Sequence, residues 1–292
     1  MGQFIDLTAA DGQKIPAYVA EPAGQPKGAV VVLQEIFGVN AHIREVADGY
    51  AKDGYLAVAP STFQRVKPGV DLGYTDADMQ EGFGYKNAVE ALPAPGVMQD
   101  IQAAIDYAAQ KSGGKVGIVG YCWGGLLTWR AAAMLNGLSA AVPYYGGGMT
   151  QPAEIARQPK VPVLAHLSDR DQWVPLDGVE AFKKAHPEVR CTCTRPTTAS
   201  TATTGRRGTP NRPSWHASAR WPSLPSTWAE LAGRAAQGWR YRSCSCWRTS
   251  GGRWRRFSAS SRAAAPSGAR CGMARLRCAT TPKTPSAERW TS

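Results

Sequence analysis

Residues 190–292 contain no isoleucine, no valine and no aspartate. Strands of a parallel sheet draw on β-branched aliphatic side chains, so this stretch is not expected to supply any. Its acids are Glu230 and Glu288 alone, and Lys283 is the single lysine among its 19 basic residues. Long apolar runs are missing throughout: nowhere do 18 apolar residues follow one another. Met1-Gly2-Gln3-Phe4 also lacks the basic-then-apolar pattern of a secretory leader. Neither membrane spanning nor secretion is expected. Histidine is scarce, with His42, His166, His186 and His216 as the full set.

What is present divides in two. The 292 residues carry 34 Lys+Arg against 22 Asp+Glu, a net charge of +12 that invites a nucleic-acid reading. The excess is not spread evenly. Residues 1–189 hold 20 acids and 15 bases, so that part is acidic. Residues 190–292 hold six of the seven cysteines and seven of the ten tryptophans. We expect an α/β domain over residues 1–189, long enough to bury a full core. Over residues 190–292 we expect a disordered, low-complexity tail rich in Arg, Ser, Thr, Pro and Trp.

In the first part strand and helix signals alternate, which points to a mostly parallel sheet with helices on both faces. A hairpin is expected from Phe4 to Val19, then a buried strand at Ala29–Leu33. Ile43–Tyr50 has helical spacing and Gly54 sits as a stop. Leu56–Pro60 reads as a strand. Residues 61–92 show weak periodicity and are expected to run as a long excursion over the sheet edge. Further on, helices are expected at Val97–Tyr107, Leu126–Leu135 and Leu176–Lys184, and strands at Val116–Gly120, Leu138–Tyr145 and Val161–Leu167.

Gly120-Tyr121-Cys122-Trp123-Gly124 lies between a strand and a helix. This is the small-x-nucleophile-x-small pattern of a nucleophile elbow, with Cys122 as the nucleophile. The turn is tight, so the glycines keep bulk away from a strained residue. Helix N-terminal amides favour the thiolate, and the Trp123 amide is placed to donate to a developing oxyanion. Asp171, in a loop after a late strand, is where such an architecture keeps an orienting carboxylate; Asp169 competes for the role. Glu35, just past the strand ending at Leu33, overhangs the same sheet edge. Its carboxylate reads either as the group that holds or exchanges the thiol proton or as a solvated loop acid, and the Ile36 amide reads as a second oxyanion donor.

Gln34 through Val39, Tyr121-Cys122-Trp123-Gly124-Gly125 and Asp171-x-x-Val174-Pro175 together resemble the dienelactone hydrolase (carboxymethylenebutenolidase) family, over about residues 3–189. The resemblance implies an α/β-hydrolase fold and ring-opening hydrolysis of an enol-lactone. It implies a Cys–His–Asp triad with Cys122 as nucleophile and Asp171 as orienter, and a glutamate at position 35 that takes the thiol proton when substrate arrives. The expected substrate is a small lactone or ester, and no cofactor, metal, nucleic acid or membrane is expected to take part. The arginines by which the family grips a substrate carboxylate have no clear match in residues 61–92; Tyr85 and Trp173 are the candidates for lining the pocket. A thiol nucleophile suits a reducing compartment, so the cytoplasm is the expected location.

The triad needs a histidine after Asp171, beyond the last strand. His42 flanks a helix, His166 is inside an apolar strand, His186 precedes the expected last strand, and His216 sits in the tail. A shift of reading frame accounts for the gap. Joining the last base of each codon to the first two of the next lets Arg190–Thr204 encode VHVYPADHGFNCDH, a strand followed by Asp-His-Gly-Phe. In the same frame Ser214–Glu230 can encode LARERTLAFFAEHLG and then a stop, an amphipathic helix. The histidine codon straddles Thr197 and Thr198. Residues from about 190 onward are thus read as out of frame, and those after about 230 as lying beyond the stop.

Two functional readings follow: a hydrolase of this family, or an inactive remnant of one that lacks its last strand and helix. A third, nucleic-acid binding through Arg206-Arg207 and Arg253-Trp254-Arg255-Arg256, is weaker because high-Arg, low-Val text signals disorder. Cys191-x-Cys193 and Cys244-x-Cys246 are spaced too closely for usual zinc pairs.

Overall fold

In the computed structural model the described residues are 2–168 and 174–194. Asp169, Asp171, Trp173, Thr197, Thr198, His216 and the arginine-rich segments of the tail lie outside them. Among the described residues eight strands form one sheet: β1 (Gln3–Thr8), β2 (Lys14–Ala20), β3 (Ala29–Leu33), β4 (Leu56–Pro60), β5 (Val116–Tyr121), β6 (Leu138–Tyr144), β7 (Leu164–Ser168) and β8 (Arg190–Thr194). Their spatial order is β1-β2-β4-β3-β5-β6-β7-β8. The β1–β2 hairpin and its join to β4 are antiparallel. Every pairing from β4 through β8 is parallel.

The helices are α1 (Ala41–Lys52), α2 (Asp76–Glu90), α3 (Val97–Ser112), α4 (Trp123–Met134), α5 (Pro152–Ile155) and α6 (Leu176–Ala185). Alternation along the strands divides the core between two faces. Val31, Leu33 and Ile118 point to one face, where Ile101 and Ile105 of α3, Leu127 of α4 and Phe182 of α6 cover them. Val30, Val32 and Val119 point to the other, against Ile43, Ala47 and Tyr50 of α1. All five side chains of β3 are buried, and burying each large aliphatic stabilises the fold by roughly 1.5–3 kcal/mol. The expected mostly parallel sheet with helices on both faces is therefore what the chain forms.

Three expectations need correction. Residues 61–92 are not all irregular: α2 occupies Asp76–Glu90. Only Gly82 and Val89 of it are buried, so no apolar stripe announces it. Its start is nonetheless encoded, because Thr75 and Asp78 form a reciprocal capping box. Second, α4 begins at Trp123, directly after Cys122, three residues earlier than the periodicity suggests. Third, a strand does form past residue 189. β8 pairs with β7 from Leu164↔Arg190 to Ser168↔Thr194, and the Arg190 amide donates to the Val163 carbonyl at 3.1 Å. At the end of the strand order the backbone ladder carries the pairing. Arg190 and Thr192 suffice where a central strand would need aliphatics on both sides, and Cys191 packs against the core.

Candidate active site

The site grows from the junction of β5 and α4. Cys122 is the N-cap of α4 with φ 54° and ψ −118°, a backbone conformation side-chain-bearing residues rarely adopt. Such strain costs of order 1–3 kcal/mol and persists only where surrounding bonds hold it. Here the Cys122 amide donates to the Tyr144 carbonyl at 3.1 Å, while the Cys122 carbonyl accepts from Gly125 at 2.9 Å. The flanking glycines are steric requirements. A Cβ on Gly124 would strike the Gln34 carbonyl and lie 2.6 Å from the Leu33 carbonyl oxygen. A Cβ on Gly120 would strike the Gly124 carbonyl and lie 2.5 Å from Thr128 Oγ1. The half-buried Cys122 thus stands at the head of α4, whose first amides have no intrahelical acceptors and attract negative charge.

β3 lies beside β5 with Leu33 opposite Gly120, so the residues just past each strand share one edge. Glu35 and Cys122 each lie two residues beyond that pair. Glu35 is 1% exposed, and neither of its carboxyl oxygens has a hydrogen-bond partner among the described residues. Burial pushes its pKa up from 4.5 to about 8. A carboxyl pushed into that range titrates close to an ordinary thiol. Ile36, 4% exposed, follows on the same loop, and α2 presses against it: a Cβ on Gly82 would strike the Ile36 carbonyl.

Tyr145 was not singled out by the sequence. It follows β6 with φ 37°, and its amide donates to the His166 carbonyl at 2.7 Å. Burial first, then the charges of Glu35 and Cys122, hold its phenol well above 10. Tyr145 and Cys122 each lie one residue beyond the Tyr121↔Tyr144 pair of β5 and β6, which sets them on one sheet edge. The available signal was a tyrosine at a strand C-terminus running straight into Gly146-Gly147-Gly148, on the edge where ligands gather.

Tyr85 sits on α2, its hydroxyl donating to Glu81 and its ring tilted against Phe63 at 5.8 Å. Phe63 in turn stacks on Trp123 at 5.0 Å, which links Tyr85 to the elbow through one ring. Three histidines are described. His42 lies in the first turn of α1. His166 stacks on Tyr144 at 4.3 Å and pairs with Thr192 Oγ1 at 2.7 Å; burial, helped by Arg190, pushes its pKa down to about 4. His186 is buried with its ring nitrogens paired to the Ile155 carbonyl and Glu188. Asp171 and Trp173 fall outside the described residues. Among the described residues no group of three or more His, Cys, Asp or Glu is placed to hold a metal ion, and no helix is long and apolar enough to cross a membrane.

Comparison with known proteins identifies the family. The sequence profile of the dienelactone hydrolase family matches residues 15–192. Carboxymethylenebutenolidases from Pseudomonas putida and Pseudomonas knackmussii are each 38% identical over 173 residues, covering 59% of this chain and 72% of theirs. A solved structure from Klebsiella pneumoniae, described as a candidate dienelactone hydrolase, is 29% identical. It superposes with a TM-score of 0.57, over 68% of this chain and 86% of that one.

Proposed function

Because this chain belongs to the dienelactone hydrolase family and is a hydrolase by that membership, we propose that it attacks an enol-lactone or related ester through the sulfur of Cys122. The observation that carries this reading is the strained Cys122 at the head of α4, with the buried Glu35 on the same sheet edge. As substrate enters, Glu35 takes the thiol proton. The thiolate then forms an S–C bond to the lactone carbonyl. The Ile36 and Trp123 amides receive the negative charge on the carbonyl oxygen. Collapse of this intermediate breaks the ring C–O bond and releases an enolate, leaving a thioester on Cys122.

Hydrolysis of that thioester needs a base to activate water. In our reading that base is a histidine oriented by Asp171 and encoded in the alternate frame across Thr197 and Thr198. Residues from about 190 are then out-of-frame text, and those after about 230 come from beyond the stop. In that frame the codons for β8 read Val-His-Val-Tyr-Pro, a better strand at the same place. The chain as translated retains the acylating half of the machinery and lacks the deacylating half. A thiol nucleophile of this kind works in a reducing compartment, which favours the cytoplasm.

The test is a pre-steady-state assay with p-nitrophenyl acetate. The expected result is a burst of p-nitrophenolate matched by one acetyl group on Cys122, followed by turnover several orders of magnitude below that of an intact triad. Cys122→Ala abolishes the burst. Equal bursts from both chains would refute the nucleophile assignment. Rapid steady turnover would instead refute the missing-histidine part.

A further inference from the structure

The aromatic residue next to the nucleophile is gripped from outside the elbow. Trp123 is the first residue of α4, and its side chain is 2% exposed. One face of the indole stacks on Phe63 with an interplanar angle of 14°. Its Nε1 donates to Glu90 Oε1 at 2.8 Å. Glu90 is the last residue of α2, so this bond ties the end of one helix to the start of another.

Glu90 is itself held. Arg130, two turns along α4, donates from Nη1 to both Glu90 oxygens at 2.9 and 2.8 Å. The same guanidinium donates from Nε to Glu154 Oε1 at 2.9 Å, and Arg157 donates to Glu154 Oε2 at 2.7 Å. Two carboxylates and two guanidiniums thus alternate, and Glu154 is 4% exposed. Burial raises the Glu90 carboxyl, but Trp123 and Arg130 outweigh it, so its pKa ends below the ordinary value. Glu90 is therefore ionised wherever the thiol chemistry operates. Hydrogen bonds to charged partners are the stronger kind.

An indole clamped in this way leaves its own residue little freedom to rotate. We propose that Glu90 is a positioning residue for the oxyanion hole: by fixing the Trp123 side chain it fixes the Trp123 amide that meets the carbonyl oxygen at Cys122. The inference rests on the reading of Cys122 as an acylated nucleophile. It accounts for α2 itself, a helix with almost no buried stripe whose final side chain is joined to the elbow.

Two reactions at one sulfur separate this role from a general structural one. Acylation by p-nitrophenyl acetate forms an S–C bond to a carbonyl, develops an oxyanion and expels p-nitrophenolate. Alkylation by iodoacetamide forms an S–C bond at a saturated carbon, expels iodide and develops no oxyanion. Both rates are read at Cys122 by peptide mass spectrometry on the full chain, with the six other cysteines as internal controls. Glu90→Ala and Trp123→Phe, the latter keeping a ring on Phe63 without the N–H, are expected to lower acylation about 10- to 100-fold and leave alkylation unchanged. Glu90→Gln, which keeps an acceptor for the indole, is expected to recover part of the loss. Should Glu90→Ala fail to fold, Trp123→Phe carries the comparison. Acylation and alkylation falling in proportion, or neither falling, would overturn the proposal. If the unsubstituted chain is alkylated but never acylated at Cys122, the nucleophile reading itself fails, and this inference with it.

Discussion

At the scale of single residues, the burial of Glu35 costs stability. A buried carboxyl without a partner stays protonated in the folded chain after the unfolded chain has lost its proton. Below about pH 4.5 both states hold the proton and nothing is lost. Between 4.5 and about 8 the folded state binds more protons than the unfolded one, so stability falls as pH rises. Glu35→Gln removes this dependence. Urea denaturation should find the variant little changed at pH 4.5 but more stable than the unsubstituted chain at pH 8, by a few kcal/mol. Catalysis should pay for the gain. The Cys122 acylation rate of the unsubstituted chain is expected to rise with pH up to about 8, as the buried Glu35 carboxyl loses its proton and becomes able to accept the thiol's. The Gln variant loses that limb and acylates about 10²-fold more slowly, as removal of a general base does.

At the scale of elements, the junction of β3, β5 and α4 admits no side-chain bulk. Gly124→Ala sets a Cβ against the carbonyls of Leu33 and Gln34, which are backbone atoms that cannot rotate away. We predict a loss of about 1–3 kcal/mol in a thermal or urea melt, as overpacking costs. Acylation should slow as well, because Leu33 and Gln34 lead directly into Glu35 and Ile36. Elements were legible where a pattern had to satisfy two faces at once. β3 and β5 are continuous apolar runs buried on both sides, and α1 and α3 carry clear stripes. α2 was missed because its hold on the molecule is polar and made at its ends: the Thr75–Asp78 box at one and Glu90 at the other. β8 was missed because its pairing is written in backbone amides, which composition does not display.

At the scale of the whole molecule, the net charge of +12 describes neither part of the chain. The acidic part forms β1 to β7 and carries Cys122 and Glu35, while nearly all surplus arginine lies beyond β8. The frame-shift reading makes a prediction at this scale. A gene with one base added at codon 190 should give a chain that completes the triad. Its p-nitrophenyl acetate reaction should change from a burst to sustained turnover, faster by about 10³-fold or more, as restoring a triad member does. If the added base leaves the kinetics unchanged, the histidine is not in that frame.

By itself, the sequence determined the alternation of strands and helices, the elbow at Cys122 and the kinship of the first two thirds of the chain. Each of these depends on neighbours in the chain, through side-chain period, glycine at a tight turn, or a short run of residue types. Only the tertiary structure decided that Glu35 is sealed away from water without a hydrogen-bond partner among the described residues, that Tyr145 and Cys122 leave neighbouring strands at one edge, and that Glu90 holds the indole beside Cys122. Those facts join residues separated by dozens of positions. Desolvation and a 2.8 Å contact arise from what folding brings near, not from what is adjacent in the chain.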